Sequence, residues 1–110
     1  QTMINQLRTE FPSTTIFTIP TGWSTLKLAQ MYEENLLQDT ISLFGPKPTS
    51  LFTDQKGHQG QIAIETGTLV WLQSIYNVDL LTNTYETGFN TELHDIAKDV
   101  TDNHDPNYKQ

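Results

Sequence analysis

Residues 51–76 read LFTDQKGHQGQIAIETGTLVWLQSIY and carry the strongest structural signal in the chain. The apolar run 51–53 predicts a brief extended segment, and the polar run 54–60, with two glycines, predicts a loop. From about Gln61 to Tyr76 the spacing of apolar residues predicts a long helix. Because this helix is apolar on most of its circumference, we expect other parts of the protein to cover most of it.

The first fifty residues alternate between helical and extended patterns. Apolar spacing predicts a helix over about 3–11, which Pro12 ends. The run 14–19 is rich in β-branched and aromatic residues and predicts a strand. A second helix is predicted from a cap at Ser24 or Thr25 to Leu37. Residues 41–44 fit either a helical turn or an extended piece. The pattern predicts an α/β protein, mostly helical with few strands.

The remaining residues, 79–110, are strongly acidic, with seven Asp or Glu against two Lys. Apolar residues at helical spacing, from Leu93 to Val100, predict an amphipathic helix that Asn90 or Thr91 caps. Residues 103–107 predict a turn or a frayed tail. At 110 residues the chain has the size of a single domain or of a domain fragment, divided here into 1–78 and an acidic C-terminal helix and tail at 79–110.

Composition excludes several classes of protein. The net charge of −7 argues against a nucleic-acid binder, which concentrates Lys and Arg. No apolar run approaches the roughly 18 residues that a membrane-spanning helix needs. The absence of cysteine removes disulfides, thiolate zinc sites and cysteine nucleophiles. Because the chain begins at Gln1 with no initiator Met and no signal segment, a processed product, a trimmed chain and a piece of a longer polypeptide are all open.

The loop 54–60 holds the strongest candidates for chemistry, Asp54 and His58. An imidazole titrates near neutral pH and can accept and return a proton. A neighbouring carboxylate can hold the ring in the correct tautomer and stabilise its charged form, as a serine hydrolase requires. The alternative is that both are ordinary polar residues of a surface loop.

The order of these elements resembles the C-terminal half of an SGNH (GDSL-type) hydrolase. In that family a "xLRxxxP" helix precedes the last strand of the sheet, and residues 6–12, QLRTEFP, match it. The family then has a helix, a loop ending in Asp-x-x-His, and an apolar terminal helix, matched here by 54–58 and 69–72. The resemblance covers about residues 2–78. Three residues rather than two separate Asp54 from His58, and Gln59 stands where the family commonly has proline.

The resemblance implies a partial three-layer α/β/α unit of the flavodoxin-like, SGNH-hydrolase type. It implies that His58 is the catalytic base and that Asp54 orients it, with no cofactor and no metal. The substrate would be an ester, for example an acylated carbohydrate, and the location would be the bacterial envelope or exterior. The family's serine nucleophile and oxyanion-hole residues lie in its N-terminal half, ahead of anything matched here. A preceding segment, a partner chain or a longer parent would therefore supply them.

A second hypothesis is a non-catalytic acidic interaction module. It would form a homodimer, or bind a partner, through the apolar helix 69–76, because a large apolar patch is rarely left in water. The acidic segment 79–110 would then be a solvated or partner-facing helix. Metal ligation by His58, His94 and His104 is a weaker alternative, since no pair of histidines has helical ligand spacing.

Overall fold

The computed structural model describes all 110 residues and shows a mixed α/β fold that is mostly helical. The fold has four helices and one small parallel sheet of two strands. Two single turns of 3-10 helix, at Lys47–Thr49 and Pro106–Tyr108, complete the regular structure. The helices and strands are α1 Thr2–Glu10, α2 Thr21–Glu33, β1 Ser42–Phe44, β2 Ser50–Phe52, α3 Gln61–Tyr76 and α4 Leu93–Asp102.

Helix α3 is the centre of the molecule and packs against α2, α4 and β2. Its residues Ile62, Ala63, Leu69 and Val70 are completely buried. The expected covering of this helix therefore comes largely from within the chain. Helix α4 contributes one apolar stripe at helical spacing to the same core, and the rest of its surface is polar. The stripe consists of Leu93, Ile96, Ala97 and Val100.

The acidic segment 79–110 is consequently packed on the rest of the chain by its apolar residues, and only its polar face is in water. Leu80 and Leu93, both about 1% exposed, belong to the same core as α3. The charges of α4 lie on the helix face opposite that core. The segment after α4 does not fray either, because residues 106–108 form a 3-10 turn whose cap is Asp105.

The two strands are parallel, with Ser42 opposite Ser50 and Phe44 opposite Phe52. Residues 41–44, for which the sequence allowed two structures, are therefore mainly extended. The inner strand β2 is mostly buried, whereas β1 is more exposed. The ring centroids of Phe44 and Phe52 lie 6.1 Å apart at the end of the sheet, next to the loop that leads to α3.

The strand predicted over residues 14–19 is wrong. This run is not part of any sheet. No strand runs beside it, so its backbone groups find other partners. The Ile16 carbonyl accepts a hydrogen bond from Arg8 at 2.9 Å, and the Thr18 N–H donates to the Tyr108 carbonyl at 2.9 Å. High β-propensity does not by itself produce a strand where no neighbouring strand is present to form hydrogen bonds with it.

The bounds of α2 also differ from the prediction. The helix begins at Thr21 rather than after Ser24, and the Ser24 hydroxyl donates within the helix to the Thr21 carbonyl. It ends at Glu33 because Asn35 adopts a left-handed conformation with φ 58°. Asparagine tolerates that conformation better than most residues. Leu36 and Leu37 therefore lie outside the helix.

Helix α1 lies at the periphery and has no buried residue. Arg8 attaches it to the rest of the molecule by donating to the carbonyls of Ile16 and Asn107 and by lying over the ring of Tyr108. None of the helices has the length and apolar character needed to cross a membrane.

Candidate functional site

The loop between β2 and α3 closes as a tight hairpin. The Thr53 N–H donates to the His58 carbonyl at 2.8 Å, and the Gly60 N–H donates to the Leu51 carbonyl at 2.7 Å. Gly57 has φ +91°, a conformation that residues with a side chain rarely adopt. The sharp reversal at Gly57 accommodates the third residue between Asp54 and His58.

The carboxylate of Asp54 organises this loop. One of its oxygens accepts hydrogen bonds from the backbone N–H groups of Lys56 at 2.8 Å and His58 at 3.3 Å. The other accepts from Nδ1 of the His58 ring. The hydrogen bond from the His58 side chain, together with the two backbone bonds, holds the pKa of Asp54 below its usual value. The loop therefore keeps Asp54 ionised at neutral pH.

The contact fixes the orientation of the imidazole. An ionised carboxylate can only accept hydrogen bonds, so Nδ1 of His58 carries the proton in this pair. In the neutral ring, the other nitrogen, Nε2, then carries the free lone pair. This is the tautomer that a general base needs when a carboxylate orients it. The two residues predicted from the sequence are thus brought together.

The pair is open to solvent on this chain. The His58 side chain is 71% exposed and that of Asp54 is 39% exposed. The four principal cavities, about 300–500 Å³ each, are lined by other residues. The chain places an imidazole that is hydrogen-bonded to a carboxylate at its surface, outside these cavities.

Two contacts anchor the loop to the body of the protein. Gln59 donates from its side-chain amide to the Thr25 hydroxyl at 2.8 Å and so joins the loop to α2. Gly60 lies against β2 so closely that a Cβ there would be 1.7 Å from the Ser50 carbonyl oxygen. Gly60 is required by this close approach rather than by a turn.

No serine of the chain is hydrogen-bonded to the His58 ring, whose partner is Asp54. Ser24 is buried and donates to the Thr21 carbonyl. Ser50 is also buried, and its hydroxyl has no hydrogen-bond partner.

The remaining histidines have structural roles. His94 contacts the side chain of Asn83 at 3.0 Å, and His104 contacts the hydroxyl of Thr18 at 2.8 Å. No group of three or more His, Asp or Glu side chains is arranged to hold a metal ion.

One polar cluster was not foreseen from the sequence. Asp39, between α2 and β1, accepts from the backbone N–H groups of Asn90 and Thr91 at 2.9 and 2.8 Å, and from the Thr91 hydroxyl at 2.7 Å. Burial opposes ionisation of Asp39, but these three bonds outweigh it and lower its pKa. The partners are 51 and 52 residues away, so no local pattern could have indicated them.

Searches of protein-family models, of curated proteins and of solved structures found no match to this chain.

Proposed function

We propose that this chain is the C-terminal part of an SGNH-type serine ester hydrolase and supplies its catalytic base. In this proposal His58 is the base, Asp54 orients it, and the two-stranded sheet is part of a larger three-layer α/β/α unit. The supporting observation is the contact between the Asp54 carboxylate and Nδ1 of His58, which leaves Nε2 free. The serine and the oxyanion-hole donors come from a preceding segment or from another chain.

The chemistry is acyl transfer in two halves. Nε2 of His58 removes the proton of the serine hydroxyl as the serine oxygen attacks the ester carbonyl. The tetrahedral intermediate collapses, the bond to the alcohol breaks, and His58 returns the proton to the departing alcohol oxygen. A water molecule, deprotonated by His58, then attacks the acyl-serine; the bond between the acyl carbon and the serine oxygen breaks, His58 returns the proton to the serine oxygen, and the carboxylic acid leaves. Asp54 stabilises the imidazolium at each transfer.

The openness of the pair agrees with this role. A base that serves a hydroxyl from another segment must present Nε2 at the surface of its own segment. The Gln59 and Gly60 contacts hold the loop against α2 and β2, so the ring position depends on packed elements. The substrate class in this proposal is a carboxylic ester, such as an acylated carbohydrate.

The competing interaction module has less support from the geometry. It requires an exposed apolar surface on helix 69–76, but Leu69 and Val70 are completely buried within the chain. Trp71 and Tyr76 are exposed on that helix, and Trp71 already donates to the Thr21 hydroxyl at 2.8 Å. The exposed large apolar side chains that this helix segment offers to a partner are Trp71 and Tyr76.

Hydrolysis of p-nitrophenyl acetate tests the proposed function. The chain is expressed together with the sequence encoded ahead of it, as wild type and as the His58→Ala variant. We expect His58→Ala to lower kcat by about 10³-fold, within the range that general acid–base groups contribute. His94→Ala is the matched control, because His94 lies outside the loop and its side chain is hydrogen-bonded to Asn83. Its kcat should stay within about threefold of wild type. Full activity in the His58→Ala protein would disprove the assignment.

A further inference from the structure

The three histidines of the chain differ in the state of their Nε2 atom. His94 and His104 are half-buried, and each contacts a polar side chain through Nε2, at 3.0 and 2.8 Å. In His58 the hydrogen-bonded atom is Nδ1, whose partner is the Asp54 carboxylate, and Nε2 has no partner. His58 is therefore the histidine whose Nε2 is both exposed and free of hydrogen bonds.

A ring nitrogen with a free lone pair is a nucleophile as well as a base. The His58 side chain is 71% exposed, so a donor molecule can reach Nε2 from solvent. When Nε2 forms a new bond, the ring becomes positively charged. The Asp54 carboxylate, which accepts from Nδ1, stabilises that charge. The pair is thus arranged for attack by Nε2 on an electrophilic centre.

The surroundings of His58 favour an anionic group on Nε2. Lys56, in the same loop, is exposed and forms no ion pair with a carboxylate. Helix α3 begins at Gln61, and neither a side-chain cap nor an acidic residue in its first turn neutralises the positive end of its dipole. A phosphoryl group, which carries about two negative charges near neutral pH, gains from both features. A neutral acyl group does not.

We propose that His58 is a phosphoryl acceptor, taking the group on Nε2 from a phosphorylated histidine or aspartate side chain of a partner protein. A protein donor fits because His58 lines none of the four principal cavities, in which a free nucleotide would be held. The Nε2 lone pair forms the new N–P bond. The bond from phosphorus to the donor atom breaks, and its electron pair leaves with that atom. The Nδ1 proton stays on the ring, hydrogen-bonded to Asp54.

Phosphoramidate, a small phosphoryl donor whose leaving group is ammonia, tests the acceptor on the wild-type chain. Mass spectrometry at alkaline pH, where N–P bonds survive, measures the rate of labelling at each histidine. We expect His58 to be labelled at least about tenfold faster than His94 or His104, because their Nε2 atoms are half-buried and hydrogen-bonded. Phosphorus NMR should show the Nε2 isomer of phosphohistidine at His58.

Two comparisons show whether the Asp54 contact causes this reactivity. Asp54→Asn should slow labelling of His58 about tenfold or more, the usual scale for a hydrogen bond to a charged group. Asp95→Asn is the matched control, because Asp95 is exposed on α4 and its substitution also removes one negative charge. Its rate should stay within about threefold of wild type. A synthetic peptide of residues 54–60, which lacks the fold, should be labelled at least about tenfold more slowly than the chain.

Equal labelling of the three histidines, or of the chain and the peptide, would overturn the proposal without reference to any variant. An Nδ1 isomer would also overturn it, because that nitrogen is occupied by Asp54. An unchanged rate in Asp54→Asn would show that the carboxylate plays no part. The labelling needs no serine and no preceding segment, so its failure is distinct from failure of the proposed hydrolase.

Discussion

Asp39 joins the segment that follows α2 to the entry of α4. Its carboxylate accepts three hydrogen bonds from Asn90 and Thr91, and Thr91 in turn accepts from the backbone N–H of Gln38 at 2.9 Å. Because these bonds favour the ionised form, the pKa of Asp39 is lower in the folded protein than in the unfolded chain. Its contribution to stability is therefore complete above the unfolded pKa, about 3.9, and is lost as pH falls through the folded pKa.

The Asp39→Asn variant tests this joint. Its amide can accept at only one atom, so part of the network is lost. We expect the free energy of unfolding to fall by about 1–3 kcal/mol at neutral pH, the usual scale for hydrogen bonds to a charged group. The difference from wild type should shrink at acid pH, where Asp39 itself becomes protonated. Urea unfolding at both pH values measures this.

Glu86→Gln provides the comparison for Asp39→Asn, because Glu86 is exposed and its substitution also removes one negative charge. Its free energy of unfolding should stay within about 0.5 kcal/mol of wild type. Equal losses in the two variants would show that net charge, and not the Asp39 network, carries the effect.

At the same scale, Asp54 and His58 were predictable and Asp39 was not. Residue type and a glycine-bearing loop were enough to single out an acid and an imidazole four positions apart, and the pair forms as expected. Both partners of that contact lie in the same short loop, four residues apart. The Asp39 network instead depends on how α4 returns to the end of α2, which tertiary packing determines.

At the scale of elements, the junction of β2 and α3 sets the position of the candidate base. Gly60 passes the Ser50 carbonyl with no space for a side chain, and the Gly60 N–H donates to the Leu51 carbonyl. The Gly60→Ala variant must push β2 and α3 apart. We expect it to lose about 2 kcal/mol or more of stability, as overpacked interiors do. Chemical denaturation of the purified variant measures the loss.

Gly22→Ala is the matched control for this element. Gly22 lies near the start of α2, and a Cβ there would meet nothing within 4 Å. Since alanine is the better helix former by up to about 1 kcal/mol, its stability should equal or exceed that of wild type. A Gly60→Ala protein as stable as Gly22→Ala would contradict the close approach described here.

The elements differ in how far the sequence predicted them. Helices α3 and α4 were predicted from the spacing of their apolar residues, because each helix buries residues at helical spacing. The strand over residues 14–19 was wrong, since a strand needs a neighbour that local composition cannot supply. The end of α2 was predicted too late because the left-handed conformation that ends the helix is confined to one residue, Asn35.

For the whole molecule, the sequence predicted that other parts of the protein cover most of α3. The cover comes mainly from α2 and α4, which pack on α3 from segments before and after it. The sequence predicted the amphipathic face of α4 but not that α3 is its partner. Within the chain, the hydrogen bond of the His58 ring is made by Nδ1, and Nε2 has no partner.

Labelling with a fluorophosphonate tests the central claim, that His58 activates a serine supplied from outside residues 1–110. Such a probe phosphonylates a serine whose proton a base removes, with fluoride as the leaving group. The chain is expressed with the sequence encoded ahead of it, and mass spectrometry locates the label. The account predicts one labelled serine outside residues 1–110, and labelling about 100-fold slower or more in His58→Ala. A label on a serine of this chain, or an unchanged rate in His58→Ala, would contradict it.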